Sequence, residues 1–202
     1  MFTENKILIM PNNAAEKFKH THGVGCNGLS PTKNQVFMIV IVFGLPGSGK
    51  SYFAAHLANK INADYINSDK VRRAMFDTRT YSINEKLSVY YEMLTQMKEV
   101  VKQNKNLVLD ATFYKNDIRK KFLDEAVGEG SIFFIEVKAE ESVIRKRLQE
   151  KRVDSEADFE VYKKVKKQWE PLHEDHLVLQ STNDNINEML YKAADYLHLK
   201  ND

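Results

Sequence analysis

Cysteine occurs once, at Cys26, in the 202 residues of this chain. A disulfide-stapled scaffold is thereby excluded, and a reducing compartment is the simplest expectation. Long apolar runs are missing too. The strongest, Val36 to Phe43, falls far short of the roughly 20 residues that a membrane-spanning helix needs, so no membrane anchor is expected. No arginine precedes Arg72, which argues against an Arg-rich transit peptide, and the run Ile7 to Met10 is too short for a secretory apolar core. A cytoplasmic location follows as an expectation. Net charge is nearly absent as well. The formal +2 resides in the first 36 residues, where Lys6, Lys17, Lys19 and Lys33 face Glu4 and Glu16; the rest carries 26 basic and 26 acidic side chains. A neutral body has no global field to hold a long polyanion, although a local basic cluster could do so.

What is present is the composition of one globular domain, 43% hydrophobic and 29% charged, enough for a sizeable core. Residues 1–36 are rich in Asn, Lys, His and Gly and keep no period of 2 or 3.6. They are expected to form a disordered or loosely attached extension, with the domain running from 37 to 202. His20 and His22 near Cys26 lack the second ligand pair of a tetrahedral metal site and read as part of a solvated tail.

The domain opens on an apolar, β-branched run, Met38 to Phe43, that leads into Gly44, Leu45, Pro46, Gly47, Ser48, Gly49, Lys50 and Ser51. These eight satisfy G-x-x-x-x-G-K-[ST] without substitution. The pattern holds phosphate for a physical reason: a turn whose successive N–H groups aim at one oxyanion needs residues without a Cβ at several positions. Lys50 would bring a point charge to the β and γ phosphates, and the Ser51 hydroxyl would ligate Mg²⁺, which prefers hard oxygen donors. Phe53, Ala54, Leu57 and Ala58 then recur at helical spacing, so the phosphates would lie at a helix N-terminus.

Four further strands alternate with helices. Ala63 to Asn67 reads as a second strand, and Ser68 or Asp69 caps a short helix on which Asp69 and Arg72 share a face. Ser82 and Glu85 form a capping box before a long helix whose apolar stripe is Ile83, Leu87, Tyr90, Leu94, Met97 and Val101. Leu107 to Asp110 is an apolar strand that ends in an acid, where ligands bind in open α/β sheets. Ile118, Phe122 and Ala126 mark the next helix, closed by Gly128 and Gly130, and Ile132 to Val137 the fourth strand. In the basic run Arg145, Lys146, Arg147, Lys151, Arg152, Arg147 falls on the inward stripe beside Val143 and Ile144. There it wants an anion, or it snorkels or pairs with an ordinary carboxylate. Ser155 or Asp158 caps a helix with Val161, Tyr162, Val165 and Trp169 on its apolar face, while Lys163, Lys164, Lys166 and Lys167 read as a solvated face. His173 to His176 has metal-capable side chains but no helical His spacing, and reads as loop. A last strand, Leu177 to Leu179, precedes a helix capped by Asn183 or Asp184. The whole predicts an α/β fold with a five-stranded sheet covered by helices on both faces. A guanine-reading Asn-Lys-x-Asp and an Asp-x-x-Gly are both lacking, so a GTPase switch is not expected.

These residues resemble small P-loop kinases that phosphorylate hydroxyl groups, similar to gluconate kinase and to the kinase domain of polynucleotide 5′-hydroxyl kinase. The resemblance runs from about Phe37 to the C-terminus and rests on GLPGSGKS (44–51), NSDKVRR (67–73), LDATF (109–113) and RKRLQEKR (145–152). SEADFEVY (155–162) also looks like a segment of AAA-type ATP-binding members of this group. The resemblance implies a P-loop NTPase fold with a parallel sheet in the order 2-3-1-4-5, and ATP and Mg²⁺ as ligands. It makes Asp69 the base for an attacking hydroxyl, Arg72 and Thr112 acceptor-binding residues, Asp110 a metal-site acid beside Ser51, and Arg147 and Arg152 lid arginines near the transferring phosphate. In the polynucleotide enzyme the lid arginines stand closer together, so Lys151 can take one of these roles. Only Arg72 and Arg73 lie beside the expected base, which favours a sugar, a nucleoside derivative or a short nucleic-acid 5′ end over a long strand. The rival expectation is a nucleotide-binding module that acts through a partner and has no acceptor. Acceptor identity and oligomeric state are left open.

Lys50→Ala is expected to leave the fold intact and to abolish ATP–Mg²⁺ binding, since this lysine contacts ligand rather than core. Calorimetric titration checks it, and wild-type affinity in the variant would end the phosphate-loop reading.

Overall fold

The computed structural model describes residues 37–127, 130–150 and 157–199. Expectations that fall elsewhere, namely the 1–36 extension with His20, His22 and Cys26, the helix stop at Gly128, the cap at Ser155, and Lys151 and Arg152, lie outside the described residues. Five strands, β1 (Met38–Phe43), β2 (Asp64–Asn67), β3 (Leu107–Asp110), β4 (Ser131–Lys138) and β5 (Leu177–Gln180), alternate with α1 (Lys50–Lys60), α2 (Ser68–Met75), α3 (Ile83–Lys102), α4 (Asn116–Ala126), α5 (Glu141–Gln149), α6 (Phe159–Lys167) and α7 (Ile186–Tyr196). The strands pair in the order 2-3-1-4-5, and every pair is parallel. This is the expected topology.

Period-2 alternation divides β1 between two cores. Ile39, Ile41 and Phe43 meet α3 and α4 through Val89, Met93, Met97 and Phe122. Val40 and Val42 face the opposite side, where Phe53 and Leu57 of α1 and Met189 and Ala193 of α7 cover them. With both faces buried, a central strand must be apolar at every position, which is why Ile39 to Phe43 and Leu107 to Leu109 are continuous hydrophobic runs. Because all strands run the same way, their C-terminal ends share one edge. Val42, Asp110 and Asn67 lie side by side there in register.

The helix starts depart in detail from the sequence reading. The side chain of Asn67, rather than Ser68 or Asp69, caps α2, accepting from the N–H groups of Asp69 at 3.0 Å and Lys70 at 2.9 Å. Asn185 precedes α7, where Asn183 or Asp184 was expected, and its Oδ1 accepts from Thr182 N–H at 2.9 Å. Along α3 the buried stripe is Glu85, Val89, Met93, Met97 and Val101, joined by Leu94; Ile83 and Leu87 are exposed. The reason is local. The first turn of α3 packs Glu85 inward, and that rotates Ile83 and Leu87 outward.

Only half of the capping box forms. Ser82 Oγ accepts from Glu85 N–H at 3.2 Å. The Glu85 carboxylate turns instead to the backbone of Thr80 (2.6 Å) and Tyr81 (2.9 Å), to the Thr80 hydroxyl (2.7 Å) and to Arg72 Nη1 (2.7 Å). Burial alone would raise this carboxyl, but the hydrogen bonds from Thr80 and Arg72 outweigh it and hold it at about 2 against an ordinary 4.5. Truncation to Glu85→Ala strands a buried arginine, at a cost of about 3–5 kcal/mol, or roughly 6–20 °C in melting temperature. A folded-state value depressed in this way contributes stability above pH 4.5 that fades as pH falls toward 2. The melting-temperature gap between wild type and variant should therefore narrow over that window, and thermal scans across pH check it.

Candidate phosphate-transfer site

The phosphate loop fills the turn between β1 and α1, and its glycines are needed for space as well as for backbone angle. A Cβ on Gly44 would stand 2.3 Å from the carbonyl oxygen of Val137. Gly49, at φ +94, caps α1, and a Cβ there would come within 2.6 Å of Ser181 Oγ and 3.0 Å of Arg147 Nη1. The loop is thus wedged between β4 and the segment after β5. The Ser48 hydroxyl is buried with no partner among the described residues.

Two clefts meet at this loop, and Lys50 and Ser51 line both. The larger, of about 640 Å³, runs between α1, α5 and the loop that leads into α7, with Gly47, Gly49, Arg147, Thr182, Asn183 and Met189 in its walls. The smaller, of about 290 Å³, lies between α2, α3 and α6 and brings together the expected Asp69, Arg72 and Thr112. Residues far apart in sequence, from the end of β2 and the end of β3, thus reach one cavity at the common strand edge.

Asp110 is fully buried at the end of β3. Its Oδ2 accepts from the Tyr65 hydroxyl at 2.7 Å and from Asn67 Nδ2 at 2.5 Å, while Oδ1 has no partner among the described residues. Burial, followed by the charge on Asp110, raises the Tyr65 phenol far above its usual range, so it stays protonated as a donor. The same hydroxyl lies 3.5 Å from the Ser51 backbone oxygen, which joins the acid to the phosphate loop. A buried, unpartnered carboxylate oxygen next to a phosphate loop fits a hydrated Mg²⁺, with Ser51 as the hydroxyl donor.

Arg147 reaches this loop and, among the described residues, takes no carboxylate. Nη1 donates to the carbonyls of Ser48 (3.1 Å) and Gly47 (3.4 Å) and to Ser181 Oγ (3.2 Å); Nη2 donates to Thr182 O (2.6 Å) and Asn183 Oδ1 (3.3 Å). Burial lowers its pKa from the usual arginine value. It clamps the phosphate loop to the segment after β5 and forms part of the wall of the larger cleft.

Sequence reasoning missed several participants. Asn67 is a helix cap and a carboxylate partner at once, and the only hint was its place before Ser68 and Asp69. Tyr90 was read as plain core, yet its hydroxyl accepts from Phe113 N–H at 3.1 Å beside the smaller cavity. Lys86 and Lys164 line that cavity too, so Lys164 is not part of a purely solvated face. A clue for Lys86 was its place on α3 between Glu85 and Val89. Among the described residues no group of three or more His, Cys, Asp and Glu is arranged to hold a metal by itself; His173 to His176 lie in the loop before β5. None of their helices is long and apolar enough to cross a membrane.

Comparison with solved structures finds the same fold in the gluconokinase of Sinorhizobium meliloti 1021 (16% identity, 81% of this chain and 97% of that one, TM-score 0.59). It recurs in the Mycobacterium tuberculosis APS kinase CysC solved with AMPPNP and APS (14%, 81% and 98%, 0.63). Chaetomium thermophilum Kti12 in complex with ADP-AlF3 is similar as well (19%, 78% and 97%, 0.60). No curated protein matches the sequence. Residues 39–172 match the family described as AAA domain. This match spans both the phosphate loop and the residues of the second cavity, and the chain belongs to that family of P-loop, kinase-fold AAA domains.

Proposed function

We propose that this domain transfers the γ-phosphate of ATP to a hydroxyl group of an acceptor bound in the smaller cavity. The observation that carries the reading is the sharing of Lys50 and Ser51 by two clefts, of which the smaller also holds Asp69, Arg72 and Thr112. A nucleotide in the larger cleft would then present its terminal phosphate at the mouth of the smaller one.

The chemistry asks little covalent work of the protein. Backbone N–H groups of the phosphate loop, Pro46 having none and Ser48 donating its own to the Leu45 carbonyl, act with the Lys50 ammonium to neutralise the phosphate oxygens and fix their position. Ser51 and Asp110 would hold Mg²⁺, whose charge would offset that of the phosphate oxygens. Arg72, fixed by Glu85, and Thr112 orient the acceptor. Asp69 accepts the hydroxyl proton as the oxygen bonds to phosphorus and ADP departs. Capping by Asn67 supports this role, because it leaves the N-cap function to another side chain. Arg147 stiffens the loop that holds the phosphates, and Arg152 is proposed as a second cation of the lid.

The fold is also that of Kti12, so a nucleotide-binding module without an acceptor is the competing reading. The acceptor cavity with its carboxylate weighs against it. Asp69→Asn is expected to keep ATP affinity while lowering kcat by roughly 10²–10⁴-fold. Calorimetry and ATP-consumption assays check this, and unchanged turnover in the variant would favour the partner-acting module.

A further inference from the structure

The smaller cavity carries more positive charge than the described residues compensate. Lys50, Arg72, Lys86 and Lys164 line it, and among the described residues Asp69 is the only carboxylate that does. Two of these cations are accounted for. Lys50 serves the transferring phosphate, and Arg72 is ion-paired to Glu85 at 2.7 Å. Lys86 of α3 and Lys164 of α6 are not: no carboxylate of the described residues lies within ion-pair distance of either ammonium. Other lysines of α6 do have partners, Lys163 with Glu160 and Lys166 with Glu141. Burial, then the charges of Lys164 and Arg72, lower the Lys86 pKa, so the cations converge on one space. Like charges brought together without an anion cost free energy that a bound anion would recover.

We infer that the acceptor is itself a dianion, a small alcohol that carries a phosphate monoester between Lys86 and Lys164 and presents its free hydroxyl to Asp69. The inference rests on the kinase reading and narrows it. Charge decides the group. A phosphate monoester, with its second pKa near 6, carries close to two negative charges at neutral pH, matching two lysines, whereas a carboxylate would compensate only one. Size decides the rest. About 290 Å³ sits at the lower end of small-ligand pockets, which suits a sugar or nucleoside monophosphate. Tyrosines 81, 90 and 114 wall the cavity. The Tyr90 hydroxyl, already accepting from Phe113 N–H, keeps its proton to donate to a ligand oxygen. In the reaction the acceptor oxygen bonds to the γ-phosphorus, the bond from phosphorus to the ADP oxygen breaks, and the hydroxyl proton passes to Asp69. The resident phosphate is unchanged, so the product is a bisphosphate.

The test pairs ribose 5-phosphate with ribose, glucose 6-phosphate with glucose, and 3′-AMP with adenosine. Affinity is measured by calorimetry with a non-hydrolysable ATP analogue present, and ATP consumption is measured on the same panel. At least one phosphorylated member should bind about tenfold or more tightly than its neutral twin. Lys86→Gln and Lys164→Gln should each weaken that member roughly 10–100-fold, the range of a charge-assisted hydrogen bond, with affinity for the ATP analogue and for the neutral twin unchanged. Unaltered melting temperatures verify that both variants fold. Tight, lysine-dependent binding without ATP consumption would keep the anion site and overturn the kinase reading. Equal binding and consumption of the neutral twins, with no effect of either lysine, would overturn the inference and leave the kinase reading standing. Failure of every panel member to bind would also overturn the inference.

Discussion

A turn that must bring its backbone N–H groups onto one phosphate leaves no room for side chains behind it, and this steric constraint organises the domain. Val137 of β4 presses on Gly44 and Ser181, after β5, on Gly49, so the loop keeps its shape only while β4 stays beside β1 and β5 beside β4. The parallel order 2-3-1-4-5 sets β1 between β3 and β4 and aligns the C-terminal ends of all five strands. Asp110, Asn67 and Ser181 are the residues those ends present to the loop. Burial of β1 on both faces gives the loop a rigid base, and the Arg147 guanidinium fastens its outer side.

Charge is handled locally rather than globally. A domain with equal numbers of acidic and basic side chains concentrates four cations around one small cavity. The buried pair of Arg72 and Glu85 shows how this is sustained. Glu85 spends its remaining hydrogen-bonding capacity on Thr80 and Tyr81, tying the α2–α3 connection to the start of α3 and fixing the arginine at the cavity wall. Arg72 also lies over the Tyr81 ring at 4.7 Å. The smaller cavity is thus walled largely by the α2–α3 connection and three helices, whereas the phosphate loop rests against strand ends.

That division explains what the sequence made legible. Strand ends are written in long apolar runs, so β1, β3 and β4 follow from hydrophobic pattern, while the order that sets β3, and with it Asp110, beside β1 was implied by the resemblance to small P-loop kinases. The eight-residue phosphate loop is legible because its glycines answer to backbone geometry. The wall of the smaller cavity is not, because many of its residues are single polar positions on amphipathic helices whose rotation depends on tertiary contacts. One buried glutamate turns the first part of α3 and exposes Ile83 and Leu87, while Lys86 and Tyr90 of the same helix line the cavity. The cap of α2 was missed for a similar reason. Asn67 satisfies two helix N–H groups with Oδ1 and the Asp110 carboxylate with Nδ2, a double role visible only once β2 and β3 are paired.

The central claim is that the γ-phosphate goes to an organic acceptor rather than to water. Tracing γ-labelled ATP through an incubation of the full chain with a small-molecule extract tests it directly, with the label resolved by chromatography and mass spectrometry. The account predicts label in an acidic, phosphatase-sensitive organic product that disappears in Asp69→Asn. Label recovered solely as inorganic phosphate, at the same rate with and without extract, would contradict it.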